Sequence, residues 1–149
     1  MHIQIETPDQ PDVAALFAQL QALHAKLYPA AAGTPLPLAS MLQPEVRFLV
    51  ARDDSGRVVG CVALVLRGEY AELRRMIVDE AARGQGIGRA LLDQLALHAL
   101  AAGVHLLKLT TGVHQREALA LYERFGFSHC APYGGGGTEP LEVCMEMRL

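Results

Sequence analysis

The stretch Val78-Asp79-Glu80-Ala81-Ala82-Arg83-Gly84-Gln85-Gly86-Ile87-Gly88-Arg89-Ala90-Leu91-Leu92 decides how the rest of the chain is read. To its left, Glu69 to Val78 reads as a strand. To its right, Ile87, Leu91, Leu95, Ala99 and Ala102 recur at helical spacing, so the stretch is a strand–loop–helix junction. Three glycines alternate where the helix begins. Without a Cβ they let backbone N–H groups turn outward together and let a ligand approach closely. The first N–H groups of a helix have no partner inside it, and the helix dipole adds partial positive charge there. Arg83 and Arg89 bracket the same spot. Together these features describe an anion cradle suited to phosphate or pyrophosphate.

Two common phosphate loops are excluded by their own requirements. A nucleoside-triphosphate loop ends in Gly-Lys-Ser/Thr, whereas Gly88 is followed by Arg89 and Ala90. A dinucleotide fingerprint needs its third glycine where Arg89 stands.

Outward from the junction, the spacing predicts further elements. His2 to Glu6 alternates as a short strand. Asp9-Gln10-Pro11-Asp12 opens a helix, with Pro11 in the first turn, and Val13, Leu16, Phe17, Leu20, Leu23 and Leu27 follow at helical spacing. Pro29 ends that helix by Tyr28. Ala30 to Pro37 is a loop, with a brief helical segment over Leu38 to Leu42. Val46 to Arg52 is a strand, Asp53 to Gly56 a turn, and Val58 to Leu66 a nearly continuous apolar run expected of a strand covered on both faces. With Glu69 to Val78 these read as an antiparallel meander. Beyond the glycine-start helix, Val104 to Leu109 is a strand parallel to the one ending at Val78. A helix from Gln115 to Phe125 stops at Gly126. Phe127 to Ala131 and Leu141 to Met147 close the sheet as a hairpin, with a glycine run from Gly134 to Gly137 between them.

Size and composition narrow the classes. The 149 residues suit one domain spanning 1–149, and 51% of them are hydrophobic. No apolar run approaches the roughly 20 residues of a membrane span, and no secretory leader is evident. A net charge of −3 and a pI near 6.0 argue against nucleic-acid binding. Cys61, Cys130 and Cys144 form no Cys-x-x-Cys pair and read as reduced thiols of a cytoplasmic protein. None of the six histidines stands at metal-ligand spacing with another His or Cys, so no metal is assigned.

What does fit the loop is Arg/Gln-x-x-Gly-x-Gly, here Arg83 to Gly88. In this the chain resembles the GNAT N-acetyltransferase superfamily, whose coenzyme A pyrophosphate loop has that form. A second motif agrees: Gln115-Arg116-Glu117-Ala118-Leu119-Ala120-Leu121-Tyr122-Glu123-Arg124-Phe125-Gly126-Phe127 resembles the family's Asn-x-x-Ala-x-x-Leu-Tyr-x-x-x-Gly-Phe, with Gln115 at the usual asparagine. The resemblance covers most of the chain from Val46 onward. It implies an α/β (α+β) GNAT fold, a mixed and mostly antiparallel sheet with flanking helices, and acetyl-CoA as cosubstrate. Ile77, Val78, Arg83, Gly84, Gln85, Gly86, Ile87, Gly88, Arg89 and Gln115 are the implied coenzyme-binding residues. Gln115 either keeps a contact to the pantetheine arm or loses it. The backbone of Met76 to Val78 is implied to pair with the pantetheine, with the Val78 N–H as the oxyanion donor. A bulge there would separate this strand from its parallel neighbour; Arg74 and Arg75 side by side suit such a bulge, although two arginines on opposite faces is the simpler reading.

Acetyl transfer to an amine needs a base and an acid. An alkyl ammonium has a pKa of about 10, so at pH 7 the neutral nucleophile is disfavoured by roughly 4 kcal/mol. Glu72 is the candidate base, because a carboxylate in mid-strand is unfavourable unless it faces water or a partner. The alternative is a cross-strand ion pair or an exposed edge position. Tyr122 is the implied acid that protonates the departing thiolate; the alternative is a core aromatic. His114 is either beside the coenzyme or a solvated loop residue. Tyr28, Tyr133 and the loop to Pro140 are placed by the resemblance near the acceptor mouth, as a lid or as a plain mobile loop. No cysteine stands in either motif, so direct transfer in a ternary complex is expected rather than an acetyl-enzyme. The expected acceptor is the primary amine of a small molecule. A protein lysine or N-terminus, or a non-catalytic acyl-CoA sensor, are the alternatives, and a homodimer paired through edge strands is the expected assembly.

Overall fold

The apolar run Val58–Leu66 forms the buried middle of the sheet. In the computed structural model, which describes residues 1–29, 37–134, 137 and 140–149, this strand (β3) is covered on both faces along nearly its whole length. The other strands are β1 (His2–Ile5), β2 (Val46–Arg52), β4 (Ala71–Val78), β5 (Leu106–Gly112), β6 (Ser128–His129) and β7 (Glu142–Arg148). The order is β1-β2-β3-β4-β5-β7-β6, antiparallel throughout except between β4 and β5. Helix α1 (Pro11–Leu27) covers one face through Val13 and Leu16, packed with Phe48, Val50, Ala63 and Val65. Helices α2 (Ile87–Ala101) and α3 (Arg116–Phe125) cover the other, where Leu91, Leu92, Leu95 and Tyr122 meet Leu64, Leu73, Leu107 and Leu109. This is the mixed sheet with flanking helices that the resemblance implied.

Most departures from expectation have local causes. β5 starts at Leu106 rather than Val104, because the Val104 N–H donates back to Ala99 O (2.9 Å) and so closes α2. It continues to Gly112 because Thr110 and Thr111 pair with Cys144 and Val143. Phe127 is likewise held by α3, its N–H on Tyr122 O (3.0 Å), which shortens β6 to two residues. The expected hairpin has β7 inside, between β5 and β6, with β6 at the edge. A short 3₁₀ turn spans Leu38–Met41, and another, over Glu80–Ala82, precedes the glycine loop. The expected loop from Ala30 to Pro37 lies outside the described residues except for Pro37, as do Gly135 and Gly136 of the glycine run.

At the sheet edge, the Arg52 guanidinium donates to both oxygens of Glu6, at 2.9 and 2.8 Å. That fork holds the Glu6 carboxyl down at about pKa 2, from an ordinary value near 4.5, against a smaller upward push from burial. A lowered folded-state pKa means stability that is present above the unfolded value and lost as pH falls through the folded one. Both groups keep water contact, so the contribution is about 1 kcal/mol. The expected outcome is that Glu6→Gln is less stable than the parent by that amount at pH 7. Urea unfolding followed down in pH should show the difference shrinking between about 4.5 and 2.

Candidate active site

β4 is where the sheet opens. It pairs with β3 at Cys61↔Ile77 and again at Ala63↔Arg74, so two steps along β3 match three along β4 and one residue is extra. The extra residue is Arg75, held in the left-handed region at φ 52°. The expected bulge is therefore present. The simpler reading of Arg74 and Arg75 on opposite faces is not: Arg75 lies over the Phe17 ring of α1, 4.8 Å from its centroid. Arg74 stands opposite Ala63, which belongs to the core under α1. On the other edge, β4 and β5 pair only at Ala71↔Leu107 and Glu72↔Lys108, and beyond these they diverge. The Asp79 N–H donates to Val59 O (2.8 Å). By the alternation of an antiparallel ladder, the Val78 N–H and C=O therefore turn away from β3 into the opening. The Val78 carbonyl already accepts from Arg83 Nε at 3.4 Å.

A cleft of about 670 Å³ runs from this opening, lined by Met76, Ile77 and Val78 and then by Arg83, Gly84, Gly86, Ile87, Gly88 and Arg89. Gly86 caps α2 in the left-handed conformation (φ 80°), and a Cβ there would point into open space. Gly88 instead faces α3, where a Cβ would come within 2.9 Å of Leu121. The glycine loop thus has two positions open to a ligand, Gly84 and Gly86, and one, Gly88, needed for helix packing.

α3 supplies Arg116 and Arg124 to the cleft wall, and its N-cap residue, Gln115, lines it too. The Gln115 side-chain oxygen accepts from the Gly112 N–H (3.0 Å) and from Thr111 Oγ1 (3.2 Å), so it ties β5 to α3 and leaves its amide nitrogen for the cleft. α1 forms the opposite wall through Leu20, Leu23 and Leu27. Its last residues are pinned by Tyr28, whose hydroxyl accepts the His114 N–H (2.9 Å) and whose ring stacks on His114 at 5.4 Å. Gly112 is required there, because the Tyr28 ring fills the place of a Cβ. Asp79, only 7% exposed, ties the middle of α1 to the end of β4 by accepting from Gln19 (3.1 Å), and it also pairs with Arg57 of the β2–β3 turn.

Glu72 lies outside the cleft lining, on the α1 side of β4. Its oxygens accept from Arg67 (3.1 Å) and from the Tyr133 hydroxyl (3.2 Å). The ion-pair alternative is thus realised, together with a tyrosine contact that nothing local in the sequence announces. Burial pushes the Tyr133 phenol up, which keeps it a donor. Lys108 stands 5.2 Å from the Tyr133 ring and 5.8 Å from the Tyr70 ring, and it is paired with Glu146 at 2.8 Å.

Tyr122 is 4% exposed, edge-on to Phe127 at 5.8 Å, and it too lies outside the cleft lining, unlike its neighbour Leu121. Burial pushes its phenol above the ordinary value. Gln85 is exposed and outside the lining. His114 is an exposed loop residue that also lines the cleft. Sequence reasoning did not single out Arg116 and Arg124, and it read the leucines of α1 as core. A helical apolar stripe looks the same whether it meets a sheet or a ligand. Among the described residues, no group of three or more His, Cys, Asp or Glu side chains could hold a metal ion, and no helix is long and apolar enough to cross a membrane.

The comparisons agree with this geometry. The family model for an acetyltransferase (GNAT) domain matches residues 44–129. An IAA acetyltransferase of Azospirillum brasilense is 43% identical over 97% of this chain and 95% of its own. A provisionally assigned acyl-CoA N-acyltransferase of Klebsiella pneumoniae superposes with a TM-score of 0.84, at 34% identity over 99% of this chain and 97% of that one. A GNAT family acetyltransferase of Elizabethkingia anophelis, solved with acetyl-CoA bound, shares the fold at a TM-score of 0.73 and 22% identity, covering 99% and 97% of the two chains. The diverging β4 and β5, the glycine start of α2 and this level of identity lead to one conclusion: the chain belongs to the GNAT acetyltransferases.

Proposed function

We propose that this chain, acting as one domain, moves an acetyl group from acetyl-CoA directly to the primary amine of a small molecule. The observation that carries this reading is the cleft itself, which joins a glycine-built helix start to an unpaired strand edge. Its residues fit the cosubstrate: Arg83, Arg89, Arg116 and Arg124 line it, against a chain of net charge −3. Acetyl-CoA supplies an activated thioester. The amides of the first turn of α2 and these arginines take the phosphates. The edge of Met76–Val78 takes the pantetheine as a neighbouring strand would, and the Val78 N–H polarises the acyl oxygen. Glu72, held between Arg67 and Tyr133, accepts the amine proton directly or through water, and Tyr122 returns a proton to the departing sulfur. The name of the Azospirillum relative supports a small acceptor.

The test is a free-thiol release assay on small amines and on peptides, with acetyl-CoA binding measured in parallel. Turnover on small amines is the expected result. Turnover on peptides alone would move the acceptor to a protein, and binding without turnover on any of them would make the chain a coenzyme sensor. A cytoplasmic location and a homodimer formed through the edge strand β1 or β6 belong to the same reading; sedimentation velocity checks the dimer.

A further inference from the structure

Two guanidinium groups share the α1-side face of β4 with Glu72, and among the described residues neither has a carboxylate partner. The other cations near them are matched: Arg67 by Glu72, and Lys108 by Glu146. Consecutive residues of a strand normally point to opposite faces. Here the left-handed turn at Arg75, strained for a residue with a Cβ, sets its side chain beside that of Arg74. One Arg75 nitrogen, Nη2, is buried with no hydrogen-bond partner. Burial first, and then the neighbouring Arg74 charge, hold the Arg75 guanidinium below its ordinary value. A strained backbone, two adjacent like charges with no carboxylate partner among the described residues, and a buried donor without an acceptor together make a spot that favours an anion. Its place is specific. Arg75 is followed directly by Met76 on the cleft wall, and Phe17 beneath it lies one helical turn before Leu20 of the opposite wall.

We infer that the acceptor is an anionic amine, a small molecule bearing a carboxylate or phosphonate a few bonds from the nitrogen, with Arg74 and Arg75 holding the anion. This rests on the transferase reading above and names its substrate class. Arg74 and Glu72 are alternate residues of one strand, roughly 7 Å apart along it. An anion on the arginines therefore leaves the amine end of a short molecule near Glu72. The guanidinium fork matches either oxyanion, and the positive spot attracts such molecules to an otherwise acidic protein.

The experiment titrates CoA-loaded protein by calorimetry with glycine, β-alanine, γ-aminobutyrate and aminoethylphosphonate, and in parallel with glycinamide, β-alaninamide and ethanolamine. At least one anion-bearing amine should bind about ten- to a hundredfold tighter than the counterpart that lacks the anion, the size of a lost charge-assisted hydrogen bond. That gap should close in Arg75→Gln and in Arg74→Gln; the second lies off the bulge and keeps the test open if the first fails to fold. The carboxylate and phosphonate arms decide between the two anions. Equal binding of amines with and without the anion, binding of neither, or a gap that survives both substitutions overturns the inference. Thiol release on the same panel separates it from the transferase reading. Acetylation regardless of charge removes the anion site alone, whereas selective binding without acetylation removes the transferase alone.

Discussion

A Tyr122→Phe enzyme should turn over about a hundredfold more slowly than the parent and bind acetyl-CoA with unchanged affinity. The magnitude is the lower end of what a positioned general acid contributes. The fold gives a reason to expect a clean result. The ring is packed against Phe127 in the core, so removing one oxygen leaves the packing in place and deletes only the proton source. Burial raises the phenol above its ordinary value, so it stays protonated through neutral and mildly alkaline pH. The parent's kcat should therefore show no alkaline fall from loss of this proton below about pH 10. Acetyl thioesters of more acidic thiols need less help in leaving, so the deficit of the variant should narrow with them. Full turnover by the variant would reduce Tyr122 to a core aromatic.

Gly86→Val should raise the Kd for acetyl-CoA by a hundredfold or more. Two effects combine. A β-branched residue at φ 80° is strained by about 1–2 kcal/mol, and its Cβ would point into the open space above the helix start. Gly56 separates them. It has a similar conformation (φ 88°) in the turn between β2 and β3, with nothing near its Cβ position, and it does not line the cleft. Gly56→Val should lose similar stability in thermal melts and bind acetyl-CoA as the parent does. Equal loss of affinity in both variants would mean that strain alone explains the effect, and the phosphate cradle would have to be sought elsewhere.

How much of this was legible beforehand depended on the range of the interaction. β2 and β3 run over Val46–Arg52 and Val58–Leu66 as read, because a strand bounded by an Asp53–Gly56 turn and buried on both faces writes its limits locally. The glycine loop was legible for the same reason: helix start, missing Cβ atoms and flanking arginines are neighbours in sequence. Val104 was misplaced because the residue after a glycine can either begin a strand or finish a helix, and a bond back to Ala99 decided it. The surroundings of Glu72 were beyond reach. Tyr133 approaches it from 61 residues away, and no local pattern records which of two distant strands a loop will cover. Arg75 was half legible: the doubled arginine suggested a bulge, but only a positive φ puts both side chains on one face.

The divergence of β4 from β5 leaves this protein unfinished as a sheet. Main-chain groups that in an ordinary fold would be satisfied by the next strand are left for a diffusible molecule to complete the row. Any such molecule stabilises the native chain by mass action, by about 2.7 kcal/mol when present at a hundred times its dissociation constant. Resistance to heat and to proteases should therefore rise with acetyl-CoA concentration, which thermal melts and limited digestion with and without acetyl-CoA would show.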